Sequence, residues 1–271
     1  MSVYDTGIRP VIDEYLDSKA KEQSYPNHWR ASSAGYCMRK NIFERLGVPP
    51  VKEDARKTRV FESGHVFHEW VQRITKNAGL SIAQELELSD EELDLVGHFD
   101  DLILLDDNLI LYDYKTAHSR WFEYAKNRPM SHYNRMQLGT YMYMLRKDFN
   151  GKDENYSLQL RKNVKVLELT EARIMKISKD DLRLHEIVLM WSPELEKEVY
   201  QYWSTLNGYW KNKKMPRCTC AEYEINKKTG IGFMADERYN PFFYDGEPCS
   251  LKWYEKCKKE GLLDDKATNQ G

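Results

Sequence analysis

The sequence has no long apolar segment and almost no net charge. No run approaches the roughly 18 apolar residues of a membrane-spanning helix, and the polar, acidic N-terminus lacks the apolar core of a signal peptide. These absences predict a soluble protein of the cytoplasm with no membrane partner. The 41 basic and 43 acidic residues give a net charge of −2, which excludes binding of nucleic acid by bulk positive charge alone.

Internal repeats and low-complexity linkers are also lacking. The 271 residues with 41% hydrophobic content therefore predict one compact α/β unit. Three zones can be distinguished along it. Residues 1–60 look helical and loop-rich, residues 61–165 alternate helix and strand, and residues 166–271 combine a long amphipathic helix with a cysteine-rich tail.

Apolar periodicity and turn residues predict the elements of the second and third zones. A helix is expected to open at Ser63 and to stop at Gly79. The other predicted elements are a strand at 81–88, a hairpin of strands 95–105 and 109–115 around a turn at 106–108, a helix at 133–146, a second hairpin of 173–177 and 182–191, and a helix from Ser192 to about Asn212.

The first hairpin carries an acidic cluster. Side chains alternate along a strand, so Asp113 and Lys115 should share one face, and pairing of the hairpin should bring Asp100 close to Asp113. Two carboxylates beside an ammonium suit Mg²⁺ or Mn²⁺, which prefer oxygen ligands and acidify water. The Tyr114 carbonyl is a further candidate ligand. The alternative is that both aspartates are exposed strand residues paired with nearby lysines.

The order of motifs around this hairpin strengthens the metal interpretation. The motifs are G-x-x-x-H-E at Gly64, His68 and Glu69, G-x-x-D at Gly97 and Asp100, D-Y-K-T at 113–116, and Q-x-x-x-Y at Gln137 and Tyr141. This series resembles the RecB-type branch of the PD-(D/E)XK nuclease superfamily. The resemblance implies that 1–271 is a single nuclease domain with a restriction-endonuclease-like core, a mixed central β-sheet flanked by helices.

The same resemblance implies a role for each matching residue. His68, Asp100 and Asp113 would bind the metal, and Lys115 would be catalytic. Gln137 and Tyr141 would lie beside the site and contact the DNA backbone.

Other candidates for DNA contact are basic and aromatic residues close together in the sequence. Arg39 and Lys40 form one such pair. Trp121, Phe122, Tyr124 and Lys126 form a second group just after Lys115. For Trp121 and Phe122 the alternative is that both belong to the core of a helix packed over the sheet.

The five cysteines predict a second metal site, since disulfides are improbable in a cytosolic protein. The segment around Cys37 resembles the N-terminal segment of iron–sulfur nucleases, namely the AddB nuclease domain and the CRISPR-associated RecB-like exonucleases. The resemblance implies a 4Fe–4S cluster that joins the N- and C-terminal segments. Its ligands would be Cys37, Cys220, Cys249 and Cys257, with Cys218 as an alternative to Cys220.

The cysteine spacing departs from that family, because Cys218 and Cys220 are separated from Cys249 by a long gap. A four-cysteine zinc site in the tail and free buried cysteines therefore remain alternatives.

Together these features predict a metal-dependent DNA exonuclease that acts on single strands or DNA ends, 5′ to 3′ by resemblance, in repair or recombination. A helicase motif is lacking, so duplex DNA would need frayed ends or a helicase partner. The alternative function is a DNA-end-binding or processing module of a recombination or CRISPR-adaptation complex, active only with its partners. A site-selective endonuclease is disfavoured because no recognition domain is evident.

Overall fold

The computed structural model describes residues 7–21, 27–47, 55–126, 128–150, 169–216, 224–225 and 232–233. Its helices are α1 (Arg9–Lys21), α2 (Met38–Arg45), α3 (Ala55–Asn77), α4 (Ser119–Lys126), α5 (His132–Asn150) and α6 (Pro193–Lys211), with a short 3-10 turn at Ala31–Ser33. Its strands are β1 (Trp29–Arg30), β2 (Ser81–Gln84), β3 (Glu87–Asp90), β4 (Leu95–His98), β5 (Asp101–Leu105), β6 (Asn108–Ala117), β7 (Glu171–Ser178), β8 (Leu184–Met190), β9 (Glu224–Ile225) and β10 (Gly232–Phe233).

The central sheet is mixed and has the strand order β2-β5-β6-β7-β8. Only β6 and β7 run parallel; the other neighbours are antiparallel. The hairpin predicted between β5 and β6 is confirmed, but its turn consists of Asp106 and Asp107, both with positive φ. Two such residues form the tight turn that matches strand twist, so Asn108 already begins β6.

Helices cover both faces of this sheet because β6 is apolar on both sides. Leu109 and Leu111 point into the larger core, which α5 and α6 complete. Ile110 and Tyr112 point into a smaller core under α3, where Val71 packs against them. A strand that is buried on both faces has a continuous apolar sequence. The sheet and the helices on its two faces form the mixed sheet flanked by helices that the sequence predicts.

Two predicted strands are wrong in the same way, because each is split between two sheets. Residues 81–88 divide into β2 and β3 at Glu85, which has φ +49°. Residues 95–105 divide into β4 and β5 at Asp100. Strands β3 and β4 leave the central sheet and pair with each other, and β1 joins them in parallel.

Gly97 explains why β4 turns away from the central sheet. A Cβ atom at this position would lie 2.6 Å from the Cβ of Ala31 and 2.8 Å from Cε1 of Tyr141. Only a residue without a side chain allows the N-terminal segment and α5 to approach this closely. The close approach places the end of β4, and with it Asp100, beside the helix that carries Gln137.

Helix α3 is longer than predicted at its start and ends as predicted. It begins at Ala55, so Ser63 is an interior residue whose hydroxyl donates to the Val60 carbonyl (2.8 Å) rather than capping the helix. At the other end Gly79 has φ +70°, its N–H donates to Lys76, and that of Leu80 donates to Thr75. This is the glycine-dependent termination of a Schellman motif.

The helix and the hairpin predicted in the third zone are confirmed. Ser192 caps α6 by accepting a hydrogen bond from the Leu195 N–H (3.2 Å), and Pro193 is its first residue. The helix packs on α5 at Gly139, where an added Cβ would lie 2.9 Å from Leu195. Strands β7 and β8 form the second hairpin. Within the described ranges, no helix is long and apolar enough to cross a membrane.

Candidate active site

Asp113 and Lys115 lie on the same face of β6, as alternation requires. The Lys115 ammonium donates to Asp113 Oδ1 (3.0 Å), and the Gln137 side chain on α5 donates to the same oxygen (3.1 Å). The Asp113 side chain is 5% exposed and that of Lys115 is 34% exposed. Burial alone would lower the pKa of Lys115, but Asp113 and Asp100 outweigh it and the pKa is raised. The lysine is therefore a fixed ammonium group.

Asp100 lies at the junction of β4 and β5 and faces the same site. Its Oδ2 accepts a hydrogen bond from the Tyr114 N–H (2.6 Å) and lies 3.5 Å from His68 Nδ1. Burial, and next the charge of Asp113, raises the pKa of Asp100 to about 8. A cation bound at both carboxylates would offset this repulsion.

His68 reaches the site from α3. Its side chain is 24% exposed, and its ring meets that of Tyr114 edge-on at 6.0 Å. Burial, and next the charge of Lys115, lowers the pKa of His68. The imidazole is therefore neutral near pH 7, which is the form that binds metal ions.

These residues fit a divalent cation. Asp113 Oδ2 is buried and lies 3.0 Å from the Lys115 ammonium, yet within the described part of the chain no donor meets it in hydrogen-bonding geometry. Mg²⁺ and Mn²⁺ prefer such carboxylate oxygens. No three His, Cys, Asp or Glu side chains of the described ranges already stand as a ligand set. A bound cation would therefore draw these side chains closer together than they lie in this structure.

The Tyr114 peptide is central to this arrangement. Its N–H binds Asp100, and its backbone also hydrogen-bonds with His68. The Tyr114 carbonyl, predicted as a metal ligand, belongs to the following peptide unit, and its role stays a prediction.

The raised pKa of Asp100 predicts a stability effect in the metal-free protein. An unfolded aspartate loses its proton near pH 4, whereas folded Asp100 keeps it up to about pH 8. The free energy of unfolding should therefore fall as the pH rises through this window. Asp100→Asn should remove this loss and be more stable by roughly 1–3 kcal/mol at pH 8.

Urea unfolding of EDTA-treated wild type and Asp100→Asn at pH 5 and pH 8 measures this difference. Glu91→Gln, an exposed change in the turn after β3, is the control. Equal pH dependence in wild type and Asp100→Asn would show that Asp100 does not hold a proton in the folded site.

The residues of the Q-x-x-x-Y motif differ in their exposure. Gln137 is buried beside the site, where it donates to Asp113. Tyr141 is 3% exposed, hydrogen-bonds with Gln137, and packs on Gly97. Burial, and next Asp113, raises its pKa. Gln137 therefore orients Asp113 and Tyr141 supports Gln137, while the contact of both side chains with DNA stays a prediction.

Asp101 was not singled out by the sequence, yet it carries the densest hydrogen bonding near the site. It is fully buried on the opposite face of the sheet from Asp113. Thr75 (2.6 Å), Gln84 (3.1 Å) and the Tyr114 hydroxyl (2.9 Å) donate to its Oδ2, and Ser81 (2.5 Å) donates to Oδ1. The network ties α3, β2 and β6 together directly behind Asp100.

A second set of hydrogen bonds fixes the backbone at Asp100, where the predicted strand divides. The Gln72 side chain donates to the Asp100 carbonyl (2.9 Å) and to the Glu85 carboxylate (2.7 Å). The two positions at which the predicted strands divide are thus held by one residue of α3. This places the Asp100 carboxylate toward Asp113.

The N-terminal candidates for DNA contact already have partners in the protein. The Lys40 ammonium lies 3.9 Å from the Tyr36 ring centre and 3.7 Å from Glu44. Arg39 lies over the Phe43 ring at 6.0 Å. Their contact with DNA stays a prediction.

The aromatic group after Lys115 divides into core and surface. Phe122 is buried, so its alternative as a core residue is confirmed, whereas Trp121 and Tyr124 are 46% and 44% exposed. The two exposed rings meet edge-on at 5.4 Å, and Arg128 lies over Tyr124. Trp121 and Tyr124 remain candidates for stacking on bases.

Of the predicted cysteine site, the structure describes Cys37 alone. This residue is buried at the start of α2. Cys218, Cys220, Cys249 and Cys257 lie outside the described residues, so both the 4Fe–4S cluster and the zinc alternative stay predictions.

Comparison with known proteins bears on this geometry. The family model described as PD-(D/E)XK nuclease superfamily matches residues 14–218. A search of curated proteins finds no match. Among solved structures, one described as SSO0001 is similar at 15% identity with a TM-score of 0.44, covering 78% of this chain and 94% of that one. An alkaline exonuclease from Laribacter hongkongensis is similar at 12% identity with a TM-score of 0.33, covering 72% and 91%.

The family match spans the whole acidic site, from His68 on α3 to Gln137 on α5. Members of this superfamily generally use Mg²⁺ or Mn²⁺, in agreement with the oxygen-rich site formed by Asp100 and Asp113. The chain belongs to the PD-(D/E)XK nuclease superfamily.

Proposed function

We propose that this protein is a Mg²⁺- or Mn²⁺-dependent DNA exonuclease of the RecB-type branch, acting on single strands or DNA ends. The observation that carries the proposal is the convergence of Asp100, Asp113 and the Lys115 ammonium at one point of the central sheet. Asp100 and Asp113 are both largely buried, and Oδ2 of Asp113 has no donor in hydrogen-bonding geometry among the described residues. This arrangement destabilises the metal-free state. Such a cost is typical of a site built for a ligand.

His68, Asp100 and Asp113 would hold the cation, which supplies positive charge at the phosphate and acidifies water. Lys115 places a second positive charge where negative charge develops on the phosphate. Gln137 orients Asp113, and the Tyr114 N–H orients Asp100. Asp101 and Gln72 keep the two acidic strands in register behind them.

The polarity of cleavage is proposed as 5′ to 3′, from resemblance to the AddB-like and CRISPR-associated nucleases. Single-stranded DNA labelled at the 5′ or the 3′ end, incubated with Mn²⁺, tests it. A 5′ to 3′ exonuclease releases the 5′ label at once as short products and shortens the 3′-labelled strand progressively.

A circular single strand is the matched control for an exonuclease, because it offers no end. Rapid cleavage of the circle would make the protein an endonuclease. Progressive shortening of the 5′-labelled strand would reverse the proposed polarity.

One observation favours the partner-dependent alternative. Among the described residues no three His, Cys, Asp or Glu side chains stand together as a metal-ligand set, and Asp113 is bonded to Lys115 and Gln137. A helicase or a recombination or adaptation protein that opened this pairing would switch the site on. Absence of cleavage by metal-replete protein, restored by such a partner, would establish this function.

A further inference from the structure

A second lysine stands directly beside Lys115. Strands β6 and β7 run parallel, and Lys176 on β7 is the register partner of Lys115. Neighbouring strands lie about 4.8 Å apart and paired residues share a face, so the two ammonium groups belong to the same side of the sheet. Asp100 approaches β6 from β5, the opposite neighbour. Across the sheet Lys115 therefore lies between Asp100 and Lys176, with Asp113 two residues before it on β6.

On this face, the residues of β7 change from buried and apolar to half-buried and charged at Lys176. The preceding residues of the same face, Ala172 and Ile174, are completely buried, and Ile174 is the partner of Asp113. Lys176 is half-buried. The register thus puts an apolar residue beside the metal-binding carboxylate and a cation beside the catalytic lysine.

Among the described residues Lys176 has neither a counter-charge nor a hydrogen-bond acceptor, unlike three other lysines of the fold. Lys115 pairs with Asp113, Lys147 pairs with Asp90, and Lys179 donates to the Ser63 hydroxyl. Within the described ranges no carboxylate or hydrogen-bond acceptor meets Lys176. Burial lowers its pKa and no neighbouring carboxylate raises it. A half-buried cation with no partner costs free energy that an anionic ligand would recover.

We propose that Lys176 binds a backbone phosphate of the DNA strand, the one next to the phosphate held at Asp100 and Asp113. The strand then crosses from β6 toward β7. The opposite course is disfavoured because Asp100 lies on that side and repels further phosphates. This inference rests on the proposed nuclease function and adds the path of the substrate.

Binding of a fluorescent single-stranded oligonucleotide, measured in EDTA over a range of salt concentrations, tests the proposal. Lys176→Gln should weaken binding about 3–10-fold and reduce the slope of log K against log salt by about 0.7, the value for one phosphate contact on a single strand. Lys176→Arg should keep affinity and slope near those of the wild type. Lys179→Gln, three residues along and bonded to α3, is the matched control and should bind like the wild type.

Three outcomes overturn the inference. Lys176→Gln equals the wild type in affinity and slope, or Lys179→Gln loses as much as Lys176→Gln, or Lys176→Gln loses binding together with a fall in Tm. Failure of the proposed function is recognised separately, because the wild type would then neither bind the oligonucleotide nor cleave it with Mn²⁺. If the wild type cleaves DNA and Lys176→Gln binds the oligonucleotide as the wild type does, the proposed strand path is wrong and the proposed function stands.

Discussion

Replacing Lys115 with alanine should lower the rate of DNA cleavage about a thousandfold, the usual effect of removing one charged group that stabilises a transition state. The ammonium is fixed by Asp113 at 3.0 Å and kept protonated by both carboxylates. Lys115 itself is no metal ligand, so Mn²⁺ binding should persist. Initial rates on end-labelled single-stranded DNA, together with Mn²⁺ titration, measure both effects.

The control for this change is Lys179→Ala, since Lys179 has a similar charge but bonds to Val60 and Ser63 of α3. It should cleave at the wild-type rate. Melting temperatures in Mn²⁺ check that Lys115→Ala is folded, because the cation compensates the Asp113 charge there. Cleavage by folded Lys115→Ala within tenfold of the wild type would remove Lys115 from the mechanism.

Replacing Asp101 with alanine should lower the free energy of unfolding by about 3–5 kcal/mol, as expected when a buried charged group and its hydrogen bonds are lost. The side chain is fully buried, and four donors from α3, β2 and β6 converge on it. Their loss leaves Thr75, Ser81, Gln84 and Tyr114 without their shared acceptor. Urea unfolding of the EDTA-treated protein gives the difference.

Asp101→Asn separates loss of hydrogen bonding from loss of volume. The asparagine keeps one acceptor oxygen and the shape of the side chain. Its free energy of unfolding should therefore fall by about half as much as that of Asp101→Ala. Glu87→Ala, at an exposed position of β3, should change stability by less than about 0.5 kcal/mol. A loss below about 1 kcal/mol for Asp101→Ala would mean that the network does not hold the junction.

Features set by neighbouring residues could be predicted from the sequence. Alternation along β6 is sufficient to put Asp113 and Lys115 on one face. The end of α3 at Gly79 and the start of α6 at Ser192 follow from the backbone freedom of glycine and the hydroxyl of serine. Each of these depends on contacts within a few residues.

The breaks at Glu85 and Asp100 could not be predicted, because residues 81–88 alternate through Glu85 and neither glycine nor proline adjoins Asp100. What divides the strands is tertiary: Gly97 admits Ala31 from a distant segment, and Gln72 binds the Asp100 carbonyl. The donors to Asp101 are likewise spread from residue 75 to residue 114. The sequence therefore predicted the candidate catalytic side chains but not the framework that orients them.

The most direct test of the central claim is anomalous scattering from crystals of the protein grown with Mn²⁺. A manganese peak is expected between the carboxylates of Asp100 and Asp113, within ligand distance of His68, with the Lys115 ammonium outside the ligand set. No manganese peak at these carboxylates, in crystals of protein that cleaves DNA with Mn²⁺, would contradict the central claim.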